Sequence, residues 1–127
     1  MAPQFDALGI TVSNMATSLD FYRLLGLVFP EDAAEKGHVE ATTPGGIRIM
    51  FDTETVMAGF DPKWSPPRDR GRIGLAFRCE DADDVDSTFR SVIEAGHRSH
   101  LEPFDAPWGQ RYASVVDPDG NVVDLFA

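Results

Sequence analysis

A turn written twice governs how this chain can fold. Pro44 and Gly46 stand 74 positions before Pro118 and Gly120, and each pair is preceded by the same order of elements: a strand, a helix, then further strands. Ahead of the first turn, Leu8, Ile10 and Val12 alternate with Ala7, Gly9 and Thr11 between Phe5 and Val12, the period-two pattern of a strand with one face in a core. Asn14 then caps a helix whose apolar residues Met15, Leu19 and Tyr22 recur at helical spacing, and Gly26 stops it. Three short strands are expected next, at Leu27 to Pro30, His38 to Thr42 and Ile47 to Phe51, the last two flanking the Pro-Gly-Gly turn.

The second half repeats this order. A strand is expected from Ile73 to Cys79, then a helix capped by Asp81 or Asp83, carrying Val85, Phe89, Val92 and Ile93 and ended by Gly96. Strands at about His97 to Leu101 and Arg111 to Val116 lead into Asp117-Pro118-Asp119-Gly120 and a last strand from Asn121 to Phe126. Two tandem βαβββ modules in one α+β domain follow, covering about residues 4–57 and 72–127. Between them, about residues 58–71, Pro62, Pro66 and Pro67 mark an irregular connector. It carries Trp64, which either pins the loop to the surface or contacts a ligand.

Composition narrows the partners. Twenty-one acidic against 11 basic residues give a net charge of −10, which repels phosphate backbones and anionic lipid. Nucleic-acid and membrane partners are not expected, and a cationic small molecule would be attracted. No stretch approaches the roughly 20 apolar residues that span a bilayer and none resembles a signal peptide, while Cys79 has no partner thiol in the chain. A cytoplasmic protein with a buried, reduced cysteine is the expectation.

With the repeat in place, particular residues carry a family resemblance. Ser18-Leu19-Asp20-Phe21-Tyr22 runs to Leu25-Gly26 in the first helix, and Pro107-Trp108-Gly109-Gln110-Arg111 precedes Asp117-Pro118-Asp119-Gly120-Asn121. In this order and spacing, over nearly the whole length, the chain resembles the vicinal oxygen chelate superfamily. That superfamily groups glyoxalase I, type I extradiol dioxygenases, fosfomycin-modifying enzymes and bleomycin resistance proteins. The resemblance implies that each module curls into half of a cup-shaped mixed sheet, that the protein forms a homodimer, and that a small organic ligand is taken up in the cup. It also implies a divalent metal held by His or Glu from the first and last strands of each unit.

At those four places this sequence has Ala7, Met50, Gly74 and Asp124. Catalytic metals normally have about three protein ligands of N, O or S type, so one carboxylate does not suffice, and neither metal nor other cofactor is expected. His38, His97 and His100 lack paired spacing and read as surface residues. The small residues Ala7, Gly9, Gly74 and Ala76 leave room for an organic molecule, with Met50, Arg48, Asp52, Arg78, Tyr112 and Asp124 as candidate contacts. For each a plainer reading stands beside this one: Met50 as core, Arg78 paired with Asp124, Tyr112 on the opposite face.

Among metal-free relatives the chain is similar to the bleomycin resistance proteins, in its acidity, its connector tryptophan and its Pro-Trp-Gly segment. That likeness implies a metal-independent protein sequestering a hydrophobic or cationic antibiotic or metabolite, with Phe60, Trp64, Trp108 and Tyr112 as stacking residues. The alternative is an enzyme of the glyoxalase type, a lyase, isomerase or dioxygenase acting on a small organic substrate in the same cup. A metal-free acid/base catalyst would use Asp124; beyond that, catalytic residues are not identifiable from the sequence under either reading.

Overall fold

The computed structural model describes residues 2–68 and 71–127, so Asp69 and Arg70 of the expected connector lie outside the described residues. The chain divides into two compact units, one up to Pro66 and one from Pro67.

In the first unit the alternating segment becomes β1 (Ala7–Val12), with Ile10 and Val12 buried and Gly9 exposed. Asn14 caps α1 (Met15–Leu24) as its residue type suggests, its side chain accepting from the Thr17 amide at 3.1 Å. At the other end the Leu27 amide donates to the Tyr22 carbonyl and the Gly26 amide to that of Arg23, with Gly26 at φ 95°, a left-handed conformation that favours glycine. Met15, Leu19 and Tyr22 are buried, together with Ser18 and Phe21.

β2 (His38–Thr42) and β3 (Arg48–Thr53) complete a three-stranded sheet in the order β1-β3-β2, with β3 parallel to β1 and antiparallel to β2. Phe51 of β3 is fully buried, its ring 5.2 Å from that of Tyr22 and 5.4 Å from that of Phe29. The segment Leu27 to Pro30, expected as a strand, is not one. Phe29 is buried against Phe51 while Val28 is 83% exposed, and Pro30 has no amide to donate to a ladder. From β1 to β3 the first unit is therefore βαββ, with a single 3-10 turn (Ala33–Glu35) in place of the missing strand.

A second difference lies just after β3. A helix, α2 (Glu54–Phe60), runs from the end of the expected first module into the expected connector, capped by Thr53, whose hydroxyl accepts from the Val56 amide at 3.2 Å. The helix lies close to Gly37: a Cβ there would stand 2.5 Å from Val56 Cγ2, so the close approach depends on glycine.

The second unit follows βαβββ. β4 (Leu75–Arg78) is shorter than expected, because Ile73 is 79% exposed and outside the sheet. Of the two candidate caps it is Asp81 that starts α3 (Ala82–Glu94), accepting from the Asp84 amide at 2.8 Å. Gly96 ends α3 as Gly26 ends α1, with the His97 amide on the Val92 carbonyl.

β5 (Arg98–Asp105), β6 (Arg111–Val116) and β7 (Val122–Phe126) join β4 in the order β4-β7-β6-β5. β5 runs four residues past the expected Leu101, through Pro103, and forms the sheet's outer edge. Its register with β6 shifts twice, between Ser99 and Leu101 and between Leu101 and Phe104. Val85 and Val92 of α3 are fully buried, as are Ala113, Val115, Val123 and Leu125 of the sheet. Arg111 reaches from β6 to Asp86 of α3, Nε to Oδ1 at 2.8 Å. Cys79, expected buried, is half-buried and free; burial first and then the nearby Asp84 push its thiol pKa up, so it stays protonated.

The doubled turn is doubled in geometry. Thr43 donates to the Ile47 carbonyl and Gly46 donates back to Thr43, just as Asp117 donates to Asn121 and Gly120 donates back to Asp117. The ladders repeat as well: Gly9, two residues past Ala7, lies opposite Met50, and Ala76, two past Gly74, lies opposite Asp124. No helix among the described residues is long and apolar enough to cross a membrane.

Candidate functional site

Each unit presents one sheet face that its own helix does not cover, and strand parity decides what stands there. In the first unit Arg48, Met50 and Asp52 alternate with the buried Ile49 and Phe51, so Met50 belongs to the open face and not to the core. Across the ladder, His38 lies opposite Asp52 and Glu40 opposite Met50.

Five ionisable groups connect on this face. His38 Nδ1 is 2.6 Å from Asp52 Oδ1 and its Nε2 is 2.7 Å from Glu40 Oε2. Arg48 donates to Glu40 Oε1 and to Asp6 Oδ2, each at 2.6 Å. Hydrogen bonds to Glu40 and then to Asp52 raise the His38 pKa, while His38 and then Arg48 lower that of Glu40. Strand parity signals the pairing, because β2 sets His38 and Glu40 on the same face as Met50. His38 is exposed, as expected of a surface histidine, and it holds two carboxylates.

In the second unit Asp124 of β7 is held from β6. Tyr112 Oη donates to Asp124 Oδ2 at 2.5 Å and Ser114 Oγ donates to Oδ1 at 2.6 Å. Distances this short mark charge-assisted bonds. Tyr112 is thus on the face of Asp124, and Asp124 turns to two hydroxyls, not to Arg78, which stands on the exposed side of β4 opposite Phe126.

Burial first, and then Asp124, push the Tyr112 pKa up to about 12. Substitution D124N removes the charge but not the burial, so the Tyr112 pKa is expected to fall part of the way toward 10. Absorbance titration of the phenolate, with Y112F as the blank, reads this directly. A pKa that does not move would refute the hydrogen bond.

Beside this pair is an aromatic group. The Trp108 ring lies 5.4 Å from Tyr112 and 6.5 Å from Phe104, and Phe104 lies 6.0 Å from Tyr112, all edge-on. Trp108 sits in the turn between β5 and β6, its indole donating to Gln110 at 2.9 Å, yet it is 61% exposed. The sequence pattern does not single out Phe104 or Ser114, and Phe104 lies beyond Leu101, where the strand is expected to end. Phe60, at the exposed end of α2, and Trp64, half-buried and held by its amide on the Asp61 carbonyl, belong to the first unit.

The donor sets can be tested against a divalent metal. On the first unit's open face Ala7 and Met50 offer at most a thioether. On the second, Gly74 offers nothing and both Asp124 oxygens already accept hydroxyl bonds. Among the described residues no group of three His, Cys, Asp or Glu side chains is placed to hold a metal ion. These residues do not fit a resident metal of the kind the family's enzymes use.

The model of the Glyoxalase/Bleomycin resistance protein/Dioxygenase superfamily matches residues 4–125. The chain belongs to that superfamily, and its α+β architecture is the one these proteins share. Among solved structures, a hypothetical protein from S. aureus is 18% identical, with 100% of this chain and 94% of that chain covered at a TM-score of 0.81. A glyoxalase-related enzyme from Fulvimarina pelagi is 16% identical, with 98% and 88% covered at 0.81. A member of the superfamily from Sphaerobacter thermophilus is 24% identical, with 98% and 97% covered at 0.68. At such identities the likeness establishes the fold alone. No curated protein matches the sequence.

Proposed function

We propose that this protein is a metal-independent binder of a hydrophobic or cationic organic molecule, an antibiotic or a metabolite, which it sequesters without altering. The ligand rests on the open face of the second unit, against Trp108, Phe104 and Tyr112 and beside Asp124. The observation that carries this reading is the exposed Trp108 packed edge-on against Tyr112, which itself holds, with Ser114, the carboxylate of Asp124. A carboxylate has about four lone-pair sites, so Asp124 retains acceptor capacity for a cation after binding Tyr112 and Ser114. An indole face beside it adds stacking and cation–π attraction. The net charge of −10 supports the same choice of ligand.

The alternative of catalysis on this face is supported less well. Efficient general acid–base groups have pKa values near the working pH, and Tyr112 is pushed up to about 12. The test is a thermal-shift series with metal-free bleomycin and with phenyltrimethylammonium, each with and without added zinc or nickel. At a hundredfold excess over Kd a ligand of the native state stabilises by about 2.7 kcal/mol, a Tm rise of roughly 10 °C for a chain of this size. W108A should lose most of that rise. No stabilisation by either organic probe, or a stoichiometric divalent ion retained on the purified protein, overturns the proposal.

A further inference from the structure

Elsewhere in the second unit is a hollow of about 270 Å³, lined by Arg72, Gly74, His100 and Asn121 among others. Its chemistry runs against that of the chain as a whole. The protein carries ten more acidic than basic residues, yet none of the residues lining this hollow is acidic. Arg23, Arg48 and Arg111 are each bound to at least one carboxylate, whereas neither Arg72 nor His100 forms an ion pair with a described residue.

Asn121 adds a further donor. One hydrogen of its side-chain amide goes to Asp117 Oδ2 at 2.8 Å, and the amide has two. The nearby Asp117 carboxylate is occupied in turn by the amides of Asp119 and Asn121 and by that side chain. Gly71 and Gly74 complete the wall, and a Cβ at either would meet nothing within 4 Å, so the space before them is open. The volume lies just below the roughly 300–1,000 Å³ of pockets that take drug-sized molecules, which suits a small acid or the charged end of a larger one.

We infer that this hollow is an oxyanion site, in which Arg72, His100 and Asn121 take up a carboxylate or phosphate group. It shares the open face of the second unit, through Gly74 and Val122, but none of Phe104, Trp108, Tyr112 or Asp124 lines it, and it does not depend on the function proposed for those residues. Arg72 supplies a planar fork that matches two oxygens, and His100 and Asn121 contribute single N–H donors.

Titration of the ¹⁵N-labelled protein with inorganic phosphate, with acetate and with chloride at matched ionic strength tests the assignment. Phosphate and acetate should give saturable shifts of the Gly71, Gly74 and Asn121 amide signals, with a Kd on the order of millimolar, and chloride should not. R72Q should weaken phosphate binding by about tenfold and H100Q by roughly threefold, the scale of one charge-assisted and one weaker hydrogen bond. Both positions are exposed, so the variants should retain the wild-type spectrum elsewhere. Saturation by phosphate alone, without acetate, narrows the ligand to phosphate compounds, and saturation by acetate alone narrows it to carboxylic acids. Equal response to chloride, absence of saturation, or wild-type affinity in both variants overturns the inference. No organic ligand enters the titration, so its failure leaves the aromatic face untouched.

Discussion

Replacing Phe51 by alanine should lower the stability of the protein by about 3–5 kcal/mol, the usual cost of removing a buried phenyl ring. Phe51 is fully buried in β3 and its ring contacts Tyr22 from α1 and Phe29 from the chain after that helix. These neighbours are fixed, one by the helix and one by the fold-back at Gly26, so the cavity cannot easily collapse. Domains of this size are stable by on the order of 5–15 kcal/mol, and F51A should therefore approach the limit of folding at 37 °C. The more conservative F51L should lose only about a third as much, since it leaves most of the volume filled. Urea unfolding of both variants checks the argument. A loss under about 1 kcal/mol in F51A would mean that the aromatic group around Phe51 is not the core of the first unit.

The second large effect is expected at Asp117. This residue is 2% exposed and its carboxylate accepts from the Asp119 amide at 2.9 Å, the Asn121 amide at 2.8 Å and the Asn121 side chain at 2.8 Å. Hydrogen bonds to a charged group contribute about 1.5–3 kcal/mol each, less where water can replace them. Asp119 is exposed and its amide can be rehydrated, so D117A should destabilise by about 2–4 kcal/mol in total. D117N keeps the shape and one acceptor oxygen, and should lose roughly half of that. Denaturant midpoints at pH 7 decide the matter, and equal stability of D117A and wild type would sink the claim that this side chain holds the turn. Thr43 occupies the matching position in the first turn, where the backbone bonds are the same. The backbone bonds of the turn therefore form without a carboxylate, and the cost measured at Asp117 is that of the donors its removal leaves without an acceptor.

Both positions show what was legible in the sequence. The second turn could be read because Pro118 and Gly120 declare it, and β3 because Ile47, Ile49 and Phe51 recur at every second position. Caps and stops at Asn14, Gly26 and Gly96 were equally plain, since each works through local bonds within a few residues. The errors fell where a tertiary contact overrode the local pattern. Val28 and Phe29 look like strand, but Phe29 is drawn into the core by Phe51 and the segment never meets a partner. Pro103 looks like a break, yet it can lie within an edge strand because the lost amide costs no ladder bond. The helix of Glu54–Phe60 is hard to read although Thr53 and Glu54 give a cap and an acidic first turn, because at seven residues it is too short for Val56, Met57 and Phe60 to establish a period.

Of the candidate site, strand parity alone placed Arg48, Met50, Asp52 and Asp124 on their open faces. Parity does not say who donates to whom. The hydroxyls on Asp124 come from a neighbouring strand whose register no local pattern encodes, and the link from Arg48 to Asp6 spans 42 residues.

The outer strand of the second sheet has a bearing on how the protein survives at high concentration. An unpaired, flat, apolar strand edge is a template on which further copies can stack without limit. β5 is a poor template: its pairing slips at two places, Pro103 interrupts its row of amides, and Arg98 and Glu102 put charge along an exposed border. A growing fibril would have to straighten those slips and bury those charges with every copy it added. The same irregularity that hid half of this strand from a reading of the sequence protects the molecule from polymerising through it.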